Sequence, residues 1–226
     1  DCSQSRGLGD VYKRQAPFHA LKRGEQALVS KTIYHGVLSF INEFAESWGI
    51  SIDYFETGHL QDLEKKLVKG KTRLVWLETP ANPSWVVTDL EAAAKLAHEA
   101  GALLAVDSTA ATPVLTRPLE LGADLVCHSA TKYLNGHSDV IAGFLAVREP
   151  SLEIWRRIRE HRKFGGAILG SMEAYLLIRG MKTLHLRVHR QCENALQLAR
   201  FLERQEIVEK VHYPGLESNP GHPVAK

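Results

Sequence analysis

Between residues 26 and 147, short apolar runs alternate with segments of helical period, and this alternation restricts the chain more than any other feature. QALVS, ISIDYFE and TRLVWLE read as strands, and TIYHGVLSFINEFAESWG and LQDLEKKLV between them read as helices. The next helix is framed by Thr88 and Glu91 as a capping box, by an apolar stripe of Leu90, Ala93, Ala94 and Ala97, and by Gly101 as its stop. ALLAVD, ADLVCHS and AGFLAV follow as strands. Runs this continuously apolar are buried on both faces, so the expected class is α/β: a mostly parallel sheet covered by helices.

Beyond residue 150 the pattern turns helical. PSLEIWRRIREHRKF, SMEAYLLIRG and KTLHLRVHRQCENALQLARFLERQ read as successive helices, and IVEKVHYPGL reads as a strand and turn that start a smaller C-terminal α/β domain. This divides the chain into a large domain at 16–165 and crossover helices plus the start of the second domain at 166–226. Residues 1–15, DCSQSRGLGDVYKRQ, have no start methionine or secretory pattern, and DVYKRQ can be spelled by the end of a sequencing adaptor, so they read as non-native. PGLESNPGHPVAK ends without a closing element, and the chain is expected to be part of a longer one.

Composition narrows the function classes. With 44% hydrophobic and 24% charged residues the chain suits a soluble globular protein, and a net charge of +2 is too mild to imply nucleic acid. No apolar run approaches a membrane span. Cys2, Cys127 and Cys192 form no CxxC pair, which argues against a disulfide scaffold or zinc ribbon and makes a reducing cytoplasm the expected location. Small-molecule chemistry remains.

In open α/β sheets ligands gather beyond the carboxyl ends of the strands, and three polar strand ends stand out: LETPANP, VDST and HSATK. Asp107 ends an apolar run, where an ionised carboxylate needs a partner. It either caps a following helix or holds a cation; a protonated pyridine nitrogen would make a pyridoxal ring an electron sink. Lys132 is either a solvated surface charge or a functional amine. It follows Ser129 and Thr131, which are spaced so that both can face one anion in a phosphate cup. A partly desolvated lysine beside a phosphate and an aldehyde can form a Schiff base.

DSTAATPVLTRPLELGADLVCHSATKYLNGHSDVIAG resembles the core signature of the pyridoxal-phosphate-dependent sulfur amino acid family, which includes cystathionine gamma-synthase, cystathionine beta- and gamma-lyases and methionine gamma-lyase. LETPANP, RGMKTLHLRVHRQCENALQLARFLE and VHYPGL resemble family stretches in the same order, so the similarity covers residues 16–226. It implies the fold type I architecture of pyridoxal-phosphate-dependent transferases, with pyridoxal 5'-phosphate as cofactor. Lys132 matches the lysine that holds the cofactor covalently and shuttles protons. Ser129 and Thr131 match the phosphate contacts, Asp107 the partner of the pyridine nitrogen, and Asn82 an amide on the ring hydroxyl. Tyr34, in IYHG, aligns with the tyrosine of the family's YGG, which stacks on the ring and acts as acid or base; a plain core aromatic is the alternative.

The implied activity is elimination or replacement at the beta or gamma carbon of sulfur-containing or O-acylated amino acids. RGMKTLHLR and DSTAATPVLTRPLE put a cystathionine gamma-synthase-like enzyme first and the lyases second. Other pyridoxal chemistries of the fold, or a non-catalytic fragment, are alternatives of another kind. His35 replaces a glycine, Ser108 and Ala110 stand where many relatives have DNTFATP, and GSMEAY replaces SPFDAW. Ala110 opens space near the cofactor. The family's remaining site groups fall outside residues 16–226, so this chain alone is expected to bind cofactor weakly and to be inactive, within a parent homo-oligomer that is a dimer of dimers acting on a small amino-acid substrate. His137, Ser138 and Asp139 are adjacent and cannot build a hydrolase triad. RRIREHRK is read as the solvated face of a helix carrying Leu152, Ile154, Trp155 and Ile158. His185 and His189 lack a third ligand, so no metal is expected.

Overall fold

The computed structural model describes residues 15–166 and 168–226, so the segment read as non-native lies outside it except for residue 15. The strands are β1 (Gln26–Ser30), β2 (Ser51–Phe55), β3 (Thr72–Glu78), β4 (Leu103–Asp107), β5 (Leu125–Ser129) and β6 (Gly143–Val147). They form one sheet in the order β2-β1-β3-β4-β5-β6. The first five are parallel and β6 runs antiparallel to β5. Helices α1 (His35–Trp48) and α3 (Leu90–Glu99) connect parallel neighbours, α2 (Leu60–Lys66) carries the chain from β2 past β1 to β3, and short α4 (Thr112–Leu115) follows β4. Residues 130–142 link β5 to β6 through a helical turn and a loop, and the direction reverses.

Two apolar layers hold the sheet. On one face α1 and α5 (Glu153–Gly165) place Val37, Phe40, Ile41, Ile154 and Ile158 against Trp76, Ala105 and Cys127. On the other, Leu63 of α2 and Leu90, Ala93, Ala94 and Ala97 of α3 cover Val75, Leu77, Leu104 and Val106. Each buried leucine or valine contributes about 1.5–3 kcal/mol. A third cluster packs the turn after β5 against α6 (Ser171–Met181) and α7 (Leu184–Leu202) through Leu134, Leu177, Leu184 and Val188. On α5, Ile154 and Ile158 are buried while Arg156 pairs with Glu153 and Glu160 in solvent, the arrangement expected for RRIREHRK. Among the described residues no helix is long and apolar enough to cross a membrane.

Three local expectations are corrected. α1 begins at His35 because the Thr32 amide donates to Thr57 Oγ1 and the Tyr34 amide to Glu78, which hold the preceding residues in a loop. α3 is capped by Asp89, whose carboxylate accepts from the Ala92 amide, and not by Thr88. Thr88 is buried, with its amide donated to Thr79 Oγ1, so its hydroxyl serves no cap. IVEKVHYPGL forms no strand. Its backbone amides at Val208 and Leu216 close local turns onto Gln205 O and Tyr213 O, and β-propensity without a neighbouring strand does not make a ladder.

The edge of the sheet remote from the strand exits is tied by Asp124, whose side chain is 3% exposed. Its Oδ2 accepts from the Leu104 amide at 2.9 Å and meets His98 Nε2 at 2.8 Å, while Oδ1 accepts from Arg148 Nη2 at 2.7 Å. At the start of the described chain His19 stacks on His161 with centroids 4.2 Å apart and lies 3.7 Å from the Trp48 ring. Burial, then the neighbouring His161, lowers the His19 pKa to about 4 from 6.5. The unfolded chain therefore takes up a proton between pH 6.5 and 4 that the folded chain refuses, and stability falls as pH drops through that window. Denaturant titrations across it are expected to show a shallower loss for His19→Phe than for the parent; identical slopes would contradict the assignment.

Candidate active site

Glu78 of β3 and Asp107 of β4 are register partners, and Asp107 faces Cys127 of β5. With a side-chain period of two, Glu78, Asp107 and Ser129 share one face at the carboxyl edge of three adjacent strands. Asp107 is 1% exposed, and its Oδ1 accepts from the Thr109 amide at 3.0 Å and hydroxyl at 2.5 Å. The same hydroxyl accepts from the Ser129 amide at 2.7 Å, so one threonine joins the ends of β4 and β5. The helix-cap alternative for Asp107 fails, because α4 begins at Thr112 after Ala111 and Asp107 closes the turn at Thr109 instead.

Lys132 lies in a π-helical turn, Ala130–Leu134, that leaves β5 directly, and its own backbone is non-helical at φ −85° and ψ −119°. Its side chain is exposed at this edge. The turn is held by Asn135 N to Ala130 O at 2.9 Å, Gly136 N to Lys132 O at 2.7 Å and Thr131 N to Ala142 O at 3.0 Å. Ser129 is buried. The Thr131 hydroxyl accepts from Ala142 N at 2.9 Å and donates to Ala142 O at 3.2 Å, so a phosphate contact would take the proton now directed to that carbonyl.

Tyr34 enters from the β1–α1 loop and is 39% exposed, which is not the burial of a core aromatic. A Cβ on Gly36 would fall 2.5 Å from the Tyr34 ring, so a larger residue there would require the ring to shift. His35 stands exposed on the first turn of α1, where a side chain is free to replace the other glycine. Asn82 is exposed in the loop after β3. Both loops are secured by Glu78: Oε2 accepts from the Tyr34 amide at 2.8 Å and Oε1 from the Asn82 amide at 3.1 Å. Sequence reasoning gave Glu78 no role. Its place at the end of TRLVWLE was the available signal, but its partners are backbone amides, which leave no pattern.

His128 is also new to the site. It is 4% exposed, and burial pushes its pKa down, partly offset by the Asp107 carboxylate and a hydrogen bond to the Ser108 backbone. Its Nδ1 and the Ser108 hydroxyl are buried without partners at the exits of β5 and β4. His137 Nδ1 lies 2.7 Å from the Asn135 carbonyl, so its ring is committed to the turn. His185 and His189 are exposed on α7, and no group of three metal-ligating side chains is found among the described residues.

The donor set fits pyridoxal phosphate: an exposed amine, a buried carboxylate, strand-end hydroxyls and unpartnered buried polar atoms at one sheet edge. Fold and strand-end chemistry place the chain in the class of fold type I pyridoxal-phosphate proteins. The chain belongs to the Cys/Met metabolism PLP-dependent enzyme family, whose model matches residues 11–226. It is 42% identical to an L-methionine gamma-lyase of Fusobacterium nucleatum subsp. nucleatum, over 99% of this chain and 56% of that protein. It is 40% identical to the cystathionine gamma-lyase of Homo sapiens, over 92% of this chain and 51% of that protein. A crystal structure of metB from Corynebacterium glutamicum superposes with a TM-score of 0.91 at 37% identity, over 96% of this chain and 56% of that one. The chain thus spans about half the length of the curated relatives it matches. Both curated names are lyases, which favours the second of the two sequence expectations over the synthase.

Proposed function

We propose that the protein carrying this chain is a pyridoxal-phosphate-dependent lyase that eliminates a thiol from the beta or gamma carbon of a sulfur-containing amino acid. The observation that carries this is Lys132, an exposed amine on a non-helical turn at the exit of β5, the strand paired with β4, whose exit holds the buried Asp107 carboxylate. The lyase names of the two curated relatives support elimination over replacement.

Bound cofactor supplies an aldehyde for amine condensation and an electron sink. Lys132 would hold the cofactor, and its Nζ, when free, would remove and return the alpha proton of the substrate. Asp107, buried at the strand end, would face the pyridine nitrogen and favour its protonated form. Ser129 and Thr131 would bind the cofactor phosphate, Asn82 would meet the ring hydroxyl, and Tyr34 would stack on the ring and serve as acid or base. Gamma elimination also requires loss of a beta proton, and the flexible stem of Lys132 lets one amine reach both carbons.

The test is product analysis with L-methionine or L-cystathionine and added pyridoxal phosphate. Thiol, ammonia and a 2-keto acid in equal amounts are expected. A new thioether amino acid formed from an O-acylated substrate and cysteine, with no keto acid, would establish replacement instead, and transfer of the amino group to a keto acid would establish transamination.

A further inference from the structure

The turn that carries Lys132 ends in backbone carbonyls that no continuing helix satisfies, and such groups need donors. One side chain supplies them. Arg187 of α7 donates through Nη1 to Tyr133 O at 2.9 Å and through Nη2 to Gly180 O at 2.8 Å, in the last turn of α6. The carbonyls of Leu134 and Asn135 lie at 3.5 and 3.4 Å from Nη2, and Nε donates to Thr183 Oγ1 at 3.1 Å. The planar fork thus spans the turn, α6 and the start of α7.

Two glycines make this approach possible. Gly136 has φ +76°, and a Cβ there would fall 2.0 Å from Arg187 Nη1. At Gly180 a Cβ would fall 2.2 Å from Asn135 O, so α6 meets the turn backbone to backbone. Asn135 is itself buried, and its Nδ2 donates to Asp139 at 2.7 Å, closing the loop on its far side.

We infer that Arg187 is a positioning residue for Lys132. By gripping the carbonyls immediately after Lys132 it holds that residue's non-helical backbone, and with it the direction in which Nζ leaves the sheet. The inference rests on the reading of Lys132 as the cofactor lysine. A lysine at 187 keeps the charge and loses the fork, so Arg187→Lys separates geometry from charge.

Hydrogen–deuterium exchange read by mass spectrometry tests this, with Arg190→Ala, an exposed arginine paired to Glu193 on the same helix, as control. In Arg187→Lys the Asn135 and Gly136 amides, bonded to Ala130 O and Lys132 O, are expected to exchange at least about tenfold faster, with the strands unchanged. With pyridoxal phosphate added, the visible band of the Lys132 adduct is expected to titrate at a different pH in Arg187→Lys and at the parent's pH in Arg190→Ala. Unchanged exchange at 135 and 136, or an equal rise throughout β5 and α7, would overturn the positioning role. So would an adduct that titrates as in the parent. A parent protein whose Lys132 captures no cofactor refutes the lyase reading instead, and the exchange data then decide the Arg187 clamp by themselves.

Discussion

Lys132→Ala is expected to abolish covalent capture of pyridoxal phosphate, while borohydride treatment of the parent protein marks the peptide that carries residue 132. The reason is positional. Many lysines are exposed, but Lys132 follows the exit of β5, the strand next to β4, which ends in the buried Asp107. Because its side chain is exposed, truncation removes little packing, and stability is expected to stay within about 0.5 kcal/mol of the parent. Loss of labelling is then chemical and not a consequence of unfolding. Peptide mapping after reduction, with thermal unfolding run in parallel, checks both halves. Equal labelling of Lys132→Ala at another lysine would refute the assignment.

The largest stability effect is expected from Asp124→Ala. Its buried carboxylate serves the Leu104 amide, His98 and Arg148 together, and the alanine leaves the amide of a core strand without its partner. Removing one member of a buried ionic group costs about 3–5 kcal/mol. His98 and Arg148 are 37% and 41% exposed and recover hydration, which brings the expectation to the lower end, about 3 kcal/mol. For a chain of this size that is a fall of roughly 6–12 °C in Tm. Calorimetry of Asp124→Ala beside Asp124→Asn separates the contributions, since asparagine keeps an oxygen for the Leu104 amide and forfeits the charge. A Tm change below about 2 °C for the alanine variant would show that the network contributes little.

Much of the candidate site was legible because strand ends can be read locally. Asp107 and Lys132 each follow an apolar run, and a polar residue at such a point faces the carboxyl edge wherever the strand sits in the sheet. Glu78 ends a strand in the same way, yet its work is to accept two backbone amides, one of them 44 residues back in the chain, and amides have no sequence signature. Thr88 shows a local rule yielding to tertiary context: its hydroxyl suits a cap, but burial commits the residue elsewhere and Asp89 takes over. IVEKVHYPGL shows the converse, apolar β-branched residues without a neighbour to pair with.

The sequence by itself determined the alternation of strands and helices, the α/β class and the residue types at the strand exits. Those follow from periods of two and 3.6 and from the apolar character of each short run. Tertiary structure alone decided the order β2-β1-β3-β4-β5-β6, the register that sets Glu78 beside Asp107, and the reach of Arg187 across more than fifty residues to the turn of Lys132. These depend on which surfaces bury each other once the chain is folded. Such a choice is made by long-range packing and hydrogen bonding, which no local window of sequence contains.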